Sequence, residues 1–188
     1  MIETHEVERA LEAAKSSAER ILYFAGVLSK ALGSPEGPVV VVGGSAIEVY
    51  TVGAYTSGDI DLVTPRQKAA RVLESWGFHT EGRTWFHPKW KLDVDLVGSD
   101  YTGSPSRIRE VETPYGPVRL AAVEDLIIKR LAEAKHWQGR RQEAFEQAAL
   151  LASELAGDLD DQYLDFRAKQ EDVIDILADL RALVTRRD

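Results

Sequence analysis

The chain has 188 residues, of which 44% are hydrophobic and 29% charged, with no cysteine and a formal net charge of −8. That length suits one packed domain, or a domain with a helical appendage, and the missing thiols exclude disulfides, thiolate metal sites and cysteine nucleophiles. A net-acidic surface does not attract a polyanion through its global field, which argues against duplex DNA as a partner, and no apolar run approaches the roughly 18 residues of a membrane span.

The acidic start, Met1-Ile2-Glu3-Thr4-His5-Glu6, lacks the basic and apolar regions of a secretory signal, so a cytoplasmic protein is expected. Val7, Leu11, Ala14, Ala18, Leu22 (or Ile21), Ala25, Leu28 and Leu32 recur at helical spacing. They predict one long N-terminal helix, capped at Thr4, stopped at Gly33 and packed on the domain C-terminal to it. Ser34-Pro35-Glu36-Gly37-Pro38 reads as a rigid connector. Val39 to Val42 is an unalternated β-branched run, the pattern of a strand buried on both faces. It ends in Gly43-Gly44-Ser45, and a short helix continues through Tyr50 to Val52.

Asp59 to Val63 predicts a second strand. Thr64-Pro65-Arg66-Gln67 has the form of a capping box with proline at the first helical position, opening a helix that reaches Trp76. Phe78–Thr80 and Thr84–His87 predict a hairpin around Glu81-Gly82-Arg83. Lys91 to Val97 alternates apolar and acidic residues as a third long strand, and weaker strands at Arg107–Val111 and Val118–Leu120 flank the Pro114-Tyr115-Gly116-Pro117 turn. From Val123 the pattern turns helical, over 123–137, 140–155, 158–168 and 170–185. The expectation is an α/β (α+β) protein in three parts: an N-terminal helix over 1–34, a small mixed-sheet core over 35–120 and a helical part over 121–188.

The candidate chemistry lies between Val39 and Asp95. Strand residues two apart point to one face, so the carboxylates of Asp59 and Asp61 converge and repel unless a cation lies between them. Mg²⁺ accepts such ligands and completes its shell with phosphate oxygens and water. Asp93 and Asp95 repeat the pattern. If their strand lies beside Asp59–Val63, three carboxylates meet, the arrangement for two-metal phosphoryl or nucleotidyl transfer. Gly43 and Gly44 let the backbone approach a ligand, and the helix start behind them favours an anion. The Ser45 hydroxyl is a further candidate to bond a phosphate oxygen. There is neither a Gly-x-Gly-x-x-Gly nor a Gly-Lys-[Ser/Thr] ending, so dinucleotide-fold and P-loop readings fail.

Residues 39–97 resemble the catalytic core of the DNA polymerase β-like nucleotidyltransferase superfamily. The shared pattern is an apolar strand, Gly-[Gly/Ser], a short helix, Asp-h-[Asp/Glu]-h with h apolar, and a later carboxylate on a strand. Gly44, Ser45, Asp59 and Asp61 match it position by position, and Asp95 fits the third carboxylate better than the alternative, Asp93. The helices from Val123 onward resemble those of minimal nucleotidyltransferases, including AbiEii-like toxins and uncharacterised prokaryotic relatives. The resemblance implies transfer of a nucleoside monophosphate from an NTP to an acceptor hydroxyl or phosphate, releasing pyrophosphate. By this likeness Asp59, Asp61 and Asp95 would hold two Mg²⁺, Gly43, Gly44 and Ser45 would orient the triphosphate, and Lys129 would touch phosphate or substrate. The acceptor stays open among a tRNA end, a protein hydroxyl and a small molecule. The alternative is a catalytically silent nucleotide- or partner-binding module, such as one member of a toxin–antitoxin pair with a small protein partner. Tyr55 stands where relatives often carry arginine, and Glu143 and Glu146 stand where they often carry aspartates.

Three further groups are weaker. Trp85, His87 and Trp90 are candidates to stack a base, against the commoner reading as hairpin packing. Lys129, Arg130, Lys135, Arg140 and Arg141 form a basic cluster that either receives a phosphate or pairs with neighbouring glutamates. No histidine is placed to activate Ser45 for hydrolysis.

Overall fold

The computed structural model describes residues 2–33 and 39–185, so the connector at residues 34–38 lies outside the described residues. The chain divides into two compact units, Met1–Ala121 and Ala122–Asp188. The N-terminal helical segment therefore belongs to the same unit as the sheet.

The first unit runs α1 (Thr4–Ala13), α2 (Ser17–Ala31), β1 (Val40–Val41), α3 (Gly43–Tyr50), β2 (Ile60–Val63), α4 (Arg66–Ser75), β3 (His79–Glu81), β4 (Thr84–His87), β5 (Leu92–Gly98), β6 (Arg109–Thr113) and β7 (Gly116–Leu120). Its strands form one mixed sheet in the order β3-β4-β5-β2-β1-β7-β6. The pairs β2–β5 and β1–β7 are parallel, and β1–β2, β3–β4, β4–β5 and β6–β7 antiparallel. This is an α/β fold. Among the described residues no helix is long and apolar enough to cross a membrane.

The expected single N-terminal helix is two. Ala14 leaves helical geometry at φ −69°, ψ 128°. Ser16 then caps α2 by accepting from Glu19 N–H at 3.1 Å, while Glu19 Oε2 accepts from Lys15 N–H at 2.7 Å. The apolar period hides this break because both helices bury their stripes, Val7, Ala10 and Leu11 on α1 and Ile21, Phe24 and Leu28 on α2. The expected capping box at Thr64 does not form either. Pro65 is the last residue before α4, its carbonyl accepts from Lys68 and Ala69 N–H, and Thr64 is buried with its N–H on Gly98 O at 2.9 Å. The N-cap moves one residue on because Thr64 stays in sheet pairing.

The sheet's apolar face follows the period of two. Ile60 and Leu62 on β2, Trp85 and His87 on β4, and Leu92, Val94 and Leu96 on β5 are buried. Phe24 of α2 meets Phe78 at 5.8 Å and Trp76 at 6.1 Å between ring centroids. Side chains of this size each stabilise by about 1.5–3 kcal/mol when fully buried, so this cluster anchors α2 within the first unit.

The second unit is helical: α5 (Val123–His136), α6 (Arg141–Glu154), α7 (Asp161–Gln170) and α8 (Ile174–Thr185). Ile127, Leu131, Ala148, Leu151, Leu177 and Leu180 fill its core. Asp160 caps α7 by accepting from Tyr163 N–H at 3.0 Å.

Candidate functional site

The site begins where β1 stops. Val42 N–H donates to Asp61 O at 3.0 Å, so β1 and β2 remain tied one residue past the strand. The chain then turns into α3 through Gly43 at φ +58°, a left-handed backbone that suits glycine. A β-carbon at Gly43 would lie 2.2 Å from Asp61 Oδ2, so glycine is also required by space. Gly44 N–H donates to that same Oδ2 at 3.0 Å. The carboxylate of Asp61 thus seats against the first turn of α3, where backbone N–H groups and the helix dipole favour negative charge.

Ser45 has a different role from the phosphate contact expected of it. The residue is fully buried. Its hydroxyl donates to Val42 O at 2.9 Å and accepts from Asp61 N–H at 3.0 Å. Both bonds are to main chain, which leaves the group bridging β1, α3 and β2 rather than facing a ligand.

The parallel pairing of β2 with β5 puts Asp61 opposite Asp95, and Ile60 opposite Val94. Ligand oxygens from Asp59, Asp61 and Asp95 all lie within 4.8 Å of one another. Asp59 and Asp61 are partly exposed and Asp95 is 2% exposed. Asp95 Oδ2 receives Arg83 Nε at 2.9 Å, whereas Asp95 Oδ1 is buried with no hydrogen-bond partner. Asp93 shares the face but sits one pair further along, with Asp59, Ser17, Arg20 and Lys91 around a cavity of about 180 Å³.

The loop from α3 to β2 is folded back against the helix start. Glu48, 1% exposed, accepts Ser57 N–H on Oε2 at 2.6 Å. The Ser57 hydroxyl donates to Asp59 O at 2.9 Å and reaches Asp59 Oδ1 at 3.4 Å. A β-carbon at Gly44 would meet Ser57 Oγ at 2.9 Å and the Tyr55 hydroxyl at 3.4 Å, so these two side chains wall the first turn of α3. Sequence pattern does not single out Glu48, Ser57 or Arg83. The one signal for Glu48 is a charged residue inside an otherwise apolar helix, and for Arg83 its place in the hairpin loop.

Trp85, His87 and Trp90 do not line this site. Trp85 and His87 pair with Val94 and Leu92, on the face opposite the carboxylates. His87 stacks on Trp90 at 3.7 Å and meets Phe78 at 5.1 Å, so all three are packing residues. The aromatic residue that shares the carboxylate face is Phe86, opposite Asp93 and 44% exposed.

Lys129 is exposed on α5 in the second unit, whereas the carboxylate group is built from the first unit alone. Within the second unit two members of the basic cluster, Arg130 and Arg140, pair with neighbouring glutamates as the ion-pair reading expects, and Lys135 pairs with aspartates far along the chain. Arg130 meets Glu133 at 2.5 Å, Arg140 meets Glu143 at 3.5 Å, and Lys135 bonds the Asp172 carbonyl and the Asp172 and Asp175 carboxylates. Against burial, which would lower it, those contacts together draw the Lys135 ammonium above its usual range. The Lys135 hydrogen bond in turn holds the Asp175 carboxyl below its own.

Three oxygen donors with one orphaned buried oxygen are compatible with a hard divalent cation such as Mg²⁺ or Mn²⁺. No protein-family model matches the chain, and no curated protein matches it.

Proposed function

We propose that the protein is a divalent-cation-dependent nucleotidyltransferase acting on an NTP, with Asp59, Asp61 and Asp95 as its metal ligands. The observation that carries this reading is the convergence of the three carboxylates within 4.8 Å, on neighbouring strands and against the start of α3. Three like charges so close are held together at a cost unless a cation neutralises them. Mg²⁺ bound there would supply Lewis-acid stabilisation of the attacking and leaving oxygens.

The chain's own residues do the positioning. The start of α3 would offer its positive dipole end to a phosphate, while the space beside Gly43 is taken by Asp61 and that beside Gly44 by Ser57 and Tyr55. Gly44 N–H also fixes Asp61, so the carboxylate and the helix start share one rigid element. Asp95 is the least exposed of the three, which suits a cation ligand held in a water-poor setting. Ser45 holds the geometry through main-chain bonds. Acceptor identity, whether a tRNA end, a protein hydroxyl or a small molecule, is left to experiment.

Labelled NTPs offered with Mg²⁺ and a panel of tRNA, protein and small acceptors test the proposal. Label should reach one acceptor class, and Asp61→Asn should lose it while remaining folded. Equal transfer by Asp61→Asn would refute the ligand assignment. Calorimetric binding of Mg-ATP without transfer to any acceptor would instead favour the silent module.

A further inference from the structure

Arg83 bears directly on this carboxylate group. It occupies the two-residue loop of the β3–β4 hairpin, between the paired Glu81 and Thr84, with Gly82 at φ +68° making the turn. Thr84 stands opposite Asp95 in the β4–β5 pairing, so the residue before it emerges beside that carboxylate. Arg83 Nε lies 2.9 Å from Asp95 Oδ2, with side-chain exposures of 71% for Arg83 and 3% for Asp95. The contact is therefore a solvated guanidinium reaching down to a buried acid.

The two oxygens of Asp95 are unequal. Oδ2 is engaged by Arg83, and Oδ1 is buried without a hydrogen-bond partner. A buried carboxylate oxygen left unpaired is costly, and a ligating carboxylate is commonly held by a hydrogen bond on its other oxygen. Resting on the metal-site reading above, we propose that Arg83 is a positioning residue: it holds Oδ2, fixes the rotation of the carboxylate and leaves Oδ1 as the cation-ligating atom. Arg83 does not touch the cation. It raises cation affinity by removing the rotational freedom that Asp95 otherwise loses on binding.

The opposite relation is a definite rival. If Arg83 and the cation were alternative counter-charges for Asp95, removing the guanidinium would tighten binding. Mn²⁺ titration of the full chain without nucleotide, followed by the electron paramagnetic resonance signal of free Mn²⁺, separates the two. Arg83→Met keeps the stem and removes the donor. It should weaken Mn²⁺ binding by about tenfold to a hundredfold, the range seen when a residue supporting a metal ligand is removed. Arg83→Lys, which restores a donor and the charge, should recover part of the loss. Arg83→Met leaves the buried Asp95 carboxylate without its partner and should lower the melting temperature, so the titrations are made at a temperature where the parent and both variants are folded. Unchanged or tighter binding in Arg83→Met overturns the positioning role while wild-type binding, abolished by Asp61→Asn, keeps the metal site. Absence of Mn²⁺ binding by the wild type overturns both.

Discussion

Replacing Gly43 with alanine tests how the carboxylate group is built. Gly43 has φ +58°, and left-handed backbone costs a residue bearing a β-carbon about 1–2 kcal/mol. The added methyl would lie 2.2 Å from Asp61 Oδ2 and 2.7 Å from its Cγ. An overlap with Cγ is not relieved by turning the carboxylate about its last bond, so the whole Asp61 side chain has to move. That movement breaks the 3.0 Å bond from Gly44 N–H, and a hydrogen bond to a charged group contributes about 1.5–3 kcal/mol. The sum is about 2.5–5 kcal/mol. At roughly 2–4 °C per kcal/mol for a chain of this size, the melting temperature should fall by roughly 5–20 °C. Because the displaced group is a proposed ligand, Mn²⁺ affinity should fall at least tenfold in the same variant. Calorimetric melting and a Mn²⁺ titration at a temperature where the variant is folded read the two effects. Gly44→Ala is the control: its β-carbon would meet first the Ser57 and Tyr55 side chains, at 2.9 and 3.4 Å, and should cost less. A Gly43→Ala protein that melts and binds Mn²⁺ as the parent does would refute the account of the turn.

Ser45→Ala should destabilise by about 1–3 kcal/mol, since it leaves Asp61 N–H and Val42 O without their shared hydroxyl; urea unfolding measures this, and loss of Mg-ATP affinity without loss of stability would argue for a direct phosphate contact instead. Burial pushes the His87 imidazole below its ordinary value, with a hydrogen bond to the Trp76 backbone and Glu8 opposing this and His79 and Lys89 adding to it, and its Nδ1 accepts Trp90 N–H at 3.1 Å. The unfolded chain then binds the proton more readily than the native one, so stability is full above the unfolded value of about 6.5 and falls as pH drops below it. Urea midpoints measured from about pH 7.5 down to about pH 5, a range that brackets the ordinary imidazole value, should show this slope. His87→Gln should reduce it, and a slope equal in both proteins would count against the assignment. Val52 is a β-branched residue at φ +49° and 88% exposed, so Val52→Asn, which tolerates that backbone, should raise stability by about 0.5–1 kcal/mol with no effect on Mn²⁺ binding.

Local pattern makes the carboxylates legible and leaves their setting hidden. Asp59, Asp61 and Asp95 can be placed on strand faces because the side-chain period is two, and one assumption about neighbouring strands brings them together. The register that joins them, Asp61 opposite Asp95, depends on packing between segments more than thirty residues apart, roughly the reach of a crossover unit, and no local signal encodes it. A single N-terminal helix is the natural reading because apolar spacing continues through Ala14–Ser16, although Ser16-Ser17-Ala18-Glu19 carries the cap that divides it. The parity of the hairpin decides the aromatics: Trp85 and His87 alternate with Thr84 and Phe86, and register alone determines which pair faces Asp95 and Asp93. The hydroxyl of Ser45 illustrates the limit most clearly. Its residue type suits a phosphate and a buried backbone bridge equally well, and only the approach of β2 selects the second.

Tyr55 bears on how charge would be balanced at this site. A phenol beside the first turn of α3, 3.4 Å from where a Gly44 β-carbon would lie, supplies a hydrogen-bonding group but no positive charge at neutral pH. An arginine there would bring a fixed charge to a bound triphosphate. With tyrosine in that place, neutralising the phosphates on the proposed reading relies on the helix start, the bound cation and the cations at the site's edge, such as Arg83, which is already engaged by Asp95. Nucleotide affinity should therefore depend on the cation more steeply than a site with its own arginine would require. That dependence runs through Asp61, because the carboxylate that would hold the cation is the one that Gly44 N–H fixes at the start of α3. Cation and triphosphate would thus meet on a single element, and an alteration at Gly43, Gly44 or Ser45 reaches both through the position of one side chain.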